Sequence, residues 1–182
     1  MVSVESVTGM LSFMTLIGIL FVLFVLGLII YNYYSKKKIR IKFFEENGLL
    51  FAFLVAVVSM LGSLYFSEIV GYEPCRFCWF QRIFVYSSVV VLFVGLYRKA
   101  KDVVYYVVPL TVIGVVIGAY HYYIQLFPSS GGCLQEAVAC STKFVFDYGL
   151  VTLPLMGVVS NLIVLSLMWF WWGKFKKDDF GF

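Results

Sequence analysis

The chain has little with which to face water. Only 13% of its 182 residues are charged, against 62% hydrophobic and 20% aromatic. A soluble globule of this size would need far more polar surface, so the composition places the chain in a bilayer. Basic residues are almost absent away from the ends of apolar runs. The net charge of +4 therefore reads as membrane-flanking charge, and nucleic acid is not an expected partner. No Lys or Arg precedes the first apolar run, where Glu5 is the one charge, so the basic start of a secretory signal peptide is missing. No internal repeat, low-complexity linker or second soluble domain is visible.

What is present is a set of five long apolar runs, about 10–34, 48–67, 77–97, 103–127 and 149–172. Each is long enough to cross the hydrocarbon as a helix, since about 20 residues suffice. Lys36, Lys37, Lys38, Arg40 and Lys42 follow the first run, Arg98, Lys99 and Lys101 the third, and Lys174, Lys176 and Lys177 the fifth. Of fourteen Lys and Arg, these segments hold eleven. The positive-inside rule then puts them in the cytoplasm, the N-terminus outside and the C-terminus inside. Pro74 suits the start of the third span, and Pro109 and Pro154 fall inside the fourth and fifth. A proline there is tolerable if neighbours satisfy the freed carbonyl. Pro128, Ser129, Ser130, Gly131 and Gly132 end the fourth span as a breaker cluster.

This topology puts all four cysteines on the outer face, where disulfides persist. Cys75 and Cys78 form a Cys-x-x-Cys pair, which can close a short disulfide and open it again at modest cost. Cys78 falls in the first turn of the third span, where free backbone N–H groups and the helix dipole favour a thiolate. Arg82 lies one turn further in on the same face. Arginine in a bilayer is costly, by about 2.5 to 3.5 kcal/mol at the helix centre. It either serves the thiolate and an acceptor lodged between helices, or snorkels to the headgroups beside an aromatic belt of Trp79, Phe80 and Tyr86.

Cys133 and Cys140 bracket six residues after Gly131 and Gly132, and a second disulfide between them is expected. It is either a static staple or a relay that a soluble protein's thiolate attacks before exchange reaches Cys75 and Cys78. His121 is the single histidine, with Gln125 one turn later on the same face. Either His121 is a satisfied core residue, or it and Arg82 face the oxygens of a two-electron, two-proton acceptor.

Together these stretches resemble the DsbB-type disulfide bond formation proteins, quinone-reducing oxidants of thioredoxin-like thiol oxidases. The resemblance rests on Pro-Cys-x-x-Cys-Trp-Phe-Gln-Arg-Ile (74–83), His-x-x-x-Gln-Leu-Phe-Pro (121–128) shortly before a loop cysteine, and Cys140-Ser141 ahead of the last span. It covers about residues 48–172. It implies an all-α integral membrane fold with a four-helix transmembrane bundle (48–173), to which this sequence adds one extra N-terminal transmembrane helix (within 1–47) and a short cytoplasmic tail (174–182). It also implies a quinone, ubiquinone or menaquinone, near the outer face of a prokaryotic cell membrane. Cys78 looks like the thiolate at the quinone, Cys75 its disulfide partner, Arg82 the cation beside it, and His121 with Gln125 the neighbouring polar groups. Cys133 and Cys140 look like the pair that meets a soluble, extracytoplasmic DsbA-like oxidase.

Two features depart from the best-known enterobacterial members. The loop pair is closer together, so an amphipathic loop helix is not expected and the loop cysteine attacked first is left open. The first span is additional, and with no ionisable residue in 10–34 it reads as a peripheral anchor. Three other readings compete. A vitamin K epoxide reductase-like protein has the loop cysteines before the Cys-x-x-Cys, the opposite order. A non-enzymatic protein could use the four cysteines for structural zinc. A transporter subunit with structural disulfides is disfavoured by the scarcity of other intramembrane polar residues.

Overall fold

The computed structural model describes residues 4–35, 39, 41–127 and 139–175. Five helices in it are long and apolar enough to cross a membrane: α1 (Val4–Ser35), α2 (Lys42–Leu64), α3 (Arg76–Arg98), α4 (Val103–Leu126) and α5 (Leu153–Phe175). A helix is what such a sequence must form in lipid, because it satisfies its own backbone where no water can. Beyond its last α-helical turn, α2 runs into a π-helical turn, Tyr65–Ile69. The described residues contain no strand, only an isolated bridge between Asp147 and Val151.

Helices α2, α3, α4 and α5 close a ring in which each packs on the next and α5 returns to α2. Leu49, Ala52, Leu92, Val107, Leu167 and Met168 fill its core. Lipid offers no hydrophobic gain to helix association, so close backbone approach and internal hydrogen bonds carry the packing. Buried hydroxyls therefore turn back on their own helix. Ser88 donates to the Phe84 carbonyl at 2.7 Å and Thr111 to the Val107 carbonyl at 2.9 Å.

Helix ends depart from the apolar runs in ways that physical chemistry explains. α1 and α2 start at Val4 and Lys42, ahead of the runs, because Glu5, Glu45 and Glu46 are good helix formers that extend a helix into water. α5 starts later than expected, at Leu153. Tyr148 (φ 53°) and Gly149 (φ 70°) adopt the left-handed conformation and turn the chain just before it. Pro154 is thus the second residue of α5 and lies in its first turn. The expectation that it sits inside the helix and frees a carbonyl is corrected, since a first-turn N–H has no intrahelical acceptor anyway.

The first helix, expected as a peripheral anchor, lies at the periphery of the bundle and makes specific contacts with it. α1 packs on α5 outside the ring, and its buried residues Ser12, Thr15, Gly18, Val22 and Val25 form one stripe. Ser12 donates to the Asp147 carboxylate. Phe21 meets Phe44 of α2 edge to face at 5.6 Å.

Candidate redox site at one end of the bundle

Cys75 caps the N-terminus of α3 in an extended conformation, and Cys78 is the third residue of that helix. The spacing leaves both sulfurs on the same side of the first turn, 3.3 Å apart, and both are free thiols. Cys75 is buried and Cys78 half-buried. An aromatic stack holds the preceding loop, with Tyr72 lying parallel to Phe66 at 6.0 Å on one side and to Phe144 at 4.8 Å on the other. The end of α2, the loop before α3 and the segment after Cys140 are thereby joined around the thiols.

Beside the pair lies an apolar cavity of about 360 Å³, walled by α1, α2, α3 and α5, with Cys78, Gln81 and Arg82 among its lining residues. That volume is within the usual range for small-molecule sites. Ser63 at the end of α2 aims the Arg82 guanidinium. Nε donates to Ser63 Oγ at 3.1 Å and a terminal nitrogen donates to the Ser63 carbonyl at 3.3 Å. The guanidinium also lies over the Trp79 ring, 5.2 Å from its centroid. Gln81 is wedged between helices. A Cβ on Gly118 would come 3.0 Å from its Nε2, and one on Gly157 would come 2.9 Å from its Oε1. Its buried Nε2, turned towards Gly118 of α4, has no hydrogen-bond partner.

On the opposite side, three α4 side chains hold the segment that follows Cys140. His121 Nε2 lies 3.1 Å from the Cys140 carbonyl. Gln125 donates to the Thr142 carbonyl at 2.9 Å, and the Tyr122 hydroxyl donates to the Leu150 carbonyl at 3.2 Å. His121 is 1% exposed, and its Nε2 also stands 3.5 Å from Cys75 Sγ. Because the Cys140 carbonyl can only accept, Nε2 carries the hydrogen. Cys75, Ile124 and Cys140 form one buried apolar cluster, with Phe77 and Cys78 packed on it. Cys75, Cys78, His121 and Gln125 line a cavity of about 10 Å³, close to the space of one water.

Electrostatics single out Cys75. The hydrogen bond shared with Cys78, then the neighbouring His121, outweigh burial and hold its thiol at about 4, far below the ordinary 9.0. Such a sulfur is a thiolate at neutral pH, competent in thiol–disulfide exchange.

The structure thus gathers Cys75, Cys78 and Cys140 at one end of the bundle. Arg82 lines the large cavity, whereas His121 and Gln125 line the small one. Cys140 is disulfide-bonded, and Cys133 lies outside the described residues. In that bond the Cys140 sulfur is not a thiolate ligand. Cys75, Cys78 and His121 do place one ligand atom each within 4.8 Å of the others, so the reduced pair with His121 could hold a thiophilic ion. Sequence reasoning missed Ser63, the wedge role of Gln81, and Leu11, Met14 and Thr15 of α1, which also line the large cavity.

The fold and site define a membrane-embedded helical dithiol protein, with one cysteine pair at the N-terminus of a spanning helix and a disulfide-bonded cysteine packed against it. Residues 45–169 match the family of the disulfide bond formation protein DsbB, and the chain belongs to that family. It is 38% identical over 121 residues to a probable disulfide formation protein C of Halalkalibacterium halodurans, covering 65% of this chain and 88% of that protein. It is 35% identical over 129 residues to disulfide bond formation protein C of Bacillus subtilis, covering 68% and 93%. A third relative, the SPbeta prophage-derived disulfide bond formation protein B of B. subtilis, is 36% identical over 125 residues, covering 68% and 84%. No solved structure matches the chain. The protein is a membrane protein of disulfide bond formation.

Proposed function

We propose that this protein reoxidises an extracytoplasmic, DsbA-like thiol oxidase and passes the two electrons to a lipid-soluble quinone in the prokaryotic cell membrane. One observation carries this reading: Cys78 is the cysteine that lines both the loop-side cavity and the large apolar cavity. A redox pair placed there can exchange with a disulfide on one side and with a membrane-borne acceptor on the other. The charge pattern of the sequence supports an outer face for the cysteines and a cytoplasmic C-terminus.

The chain's residues divide the work. A thiolate of the reduced partner attacks a disulfide joining Cys133 and Cys140, and its second thiol displaces the loop, leaving the partner oxidised and two loop thiols. A loop thiolate then attacks Cys75 in a Cys75–Cys78 disulfide, and Cys78 leaves as the thiolate. The second loop thiol closes the loop disulfide again, leaving Cys75 and Cys78 reduced. His121 Nε2–H, between Cys75 and the Cys140 carbonyl, stabilises charge on Cys75 and keeps Cys140 within reach. Gln125 fixes the same segment through Thr142.

A bound quinone supplies the acceptor for two electrons and two protons. The large cavity suits it in two respects: an apolar wall and a cation at Arg82. Cys78 stands at that wall, and closure of the Cys75–Cys78 disulfide balances formation of one quinol. Purified protein with a soluble quinone analogue should oxidise a reduced thioredoxin-like partner, one quinol appearing per disulfide. Failure of that turnover, with Cys75→Ser behaving as the wild type does, would refute the proposal.

A further inference from the structure

α1 lies outside the region matched to the family, which begins at residue 45. Yet α1 reaches the site from both flanks of the groove between α2 and α5. Leu11 Cδ1 sits 3.6 Å from where a Cβ on Gly62 of α2 would be, and a Cβ on Gly18 would meet Val159 and Ile163 of α5 at 2.8 Å. Between these two crossings Leu11, Met14 and Thr15 face the cavity, opposite Cys78 and Arg82. Thr15 is 8% exposed, whereas Met14 is 51% exposed and stands at the rim.

The helix is held there by specific interactions. In lipid a helix stays packed through close approach and hydrogen bonds. Gly18 permits the first, and Ser12, fully buried, supplies the second through the Asp147 carboxylate. Asp147 belongs to the segment that follows Cys140 and closes the bridge to Val151. Phe21 on Phe44 fixes the other end against α2. A helix that served only to anchor the chain would need none of these contacts.

We propose that α1 is the specificity-determining wall of the acceptor site. It covers the α2–α5 groove, so that the Leu11 to Thr15 turn shapes the space available to the ring of a quinone, and the Met14 rim shapes the path of its isoprenoid tail. The inference rests on the quinone reading of the large cavity.

Equilibrium binding of a naphthoquinone with and without an isoprenoid tail, followed by quenching of tryptophan fluorescence in the full-length protein, tests it. Thr15→Phe, which pushes a ring into the cavity, weakens binding of both quinones about tenfold. Met14→Ala, at the rim, changes binding of the tailed quinone and leaves the tailless one unaffected. Gly18→Leu levers α1 from α5 and lowers the preference for the tailed quinone. Leu20→Ala, on the lipid-facing side and 67% exposed, changes nothing. Unaltered binding in Thr15→Phe and Met14→Ala, with a wild type that binds, overturns the role of α1 and leaves the quinone reading standing. A wild type that exchanges disulfides with its partner but binds neither quinone overturns that reading, and this inference with it.

Discussion

Replacing Arg82 by methionine separates the acceptor from the fold. The methionine keeps much of the apolar stem and removes the guanidinium that Ser63 aims with contacts of 3.1 and 3.3 Å. Ser63 Oγ retains the Tyr86 hydroxyl at 3.4 Å, so the loss to folding is small. A hydrogen bond from a charged donor to an oxygen of the acceptor contributes about 1.5–3 kcal/mol, and about 1.4 kcal/mol is tenfold in affinity. Arg82→Met should therefore raise the quinone KM on the order of 10- to 100-fold. If the contact is equally strong before and during electron transfer, kcat changes little. Arg82→Lys keeps the charge but loses the planar fork, and should fall between the two. The assay is disulfide formation in a reduced partner against quinone concentration, with thermal unfolding of each variant beside it. An unchanged KM in a stably folded Arg82→Met protein would remove the residue from the site.

Other consequences follow from the same geometry. In the reduced protein the Cys75 thiol titrates at about 4 against 9.0 for the ordinary group. Between those values the unfolded thiol holds a proton that the folded one has released. Stability of the reduced form should thus rise with pH across that window and be lost as pH falls through about 4; ultraviolet thiolate absorbance and unfolding curves read both quantities. His121→Phe removes the contacts to Cys75 and the Cys140 carbonyl, and should lower kcat roughly tenfold, about the cost of one or two hydrogen bonds, with less effect on quinone KM. Gly118→Ala would bring a Cβ within 2.6 Å of Val158 and 3.0 Å of Gln81. It should cost about 1–3 kcal/mol by overpacking, seen as a lowered Tm in detergent.

The parts of the molecule legible in the sequence were those written in polarity. Apolar runs set the five spans, lysines their expected sense, and the Cys75 to Arg82 stretch announced a thiol pair with a cation one turn below. Which face of each helix turns inward was not legible, because helices that are apolar all round carry almost no polarity difference between faces. The inward face of α1 is marked instead by small and hydroxyl residues, Ser12, Thr15 and Gly18, a stripe that acquires meaning once Val159, Ile163 and Asp147 are placed against it. Gln81 was likewise visible only as a neighbour of Arg82. Its wedge between Gly118 and Gly157 joins residues 37 and 76 positions away, and no local pattern encodes that. His121 and Gln125 were legible as one helical face. That this face grips the backbone after Cys140 depends on a loop path the sequence does not specify.

The central claim is that Cys78 delivers electrons from the thiol pair to an acceptor in the large cavity. Cys75→Ser leaves Cys78 without its disulfide partner, so an absorbance scan of this variant, purified with quinone, tests the claim most directly. A visible band from a Cys78 thiolate against the quinone is predicted, abolished by further substitution of Cys78→Ser and weakened by Arg82→Met. Bound quinone with no such band, or a band that survives loss of Cys78, would contradict it.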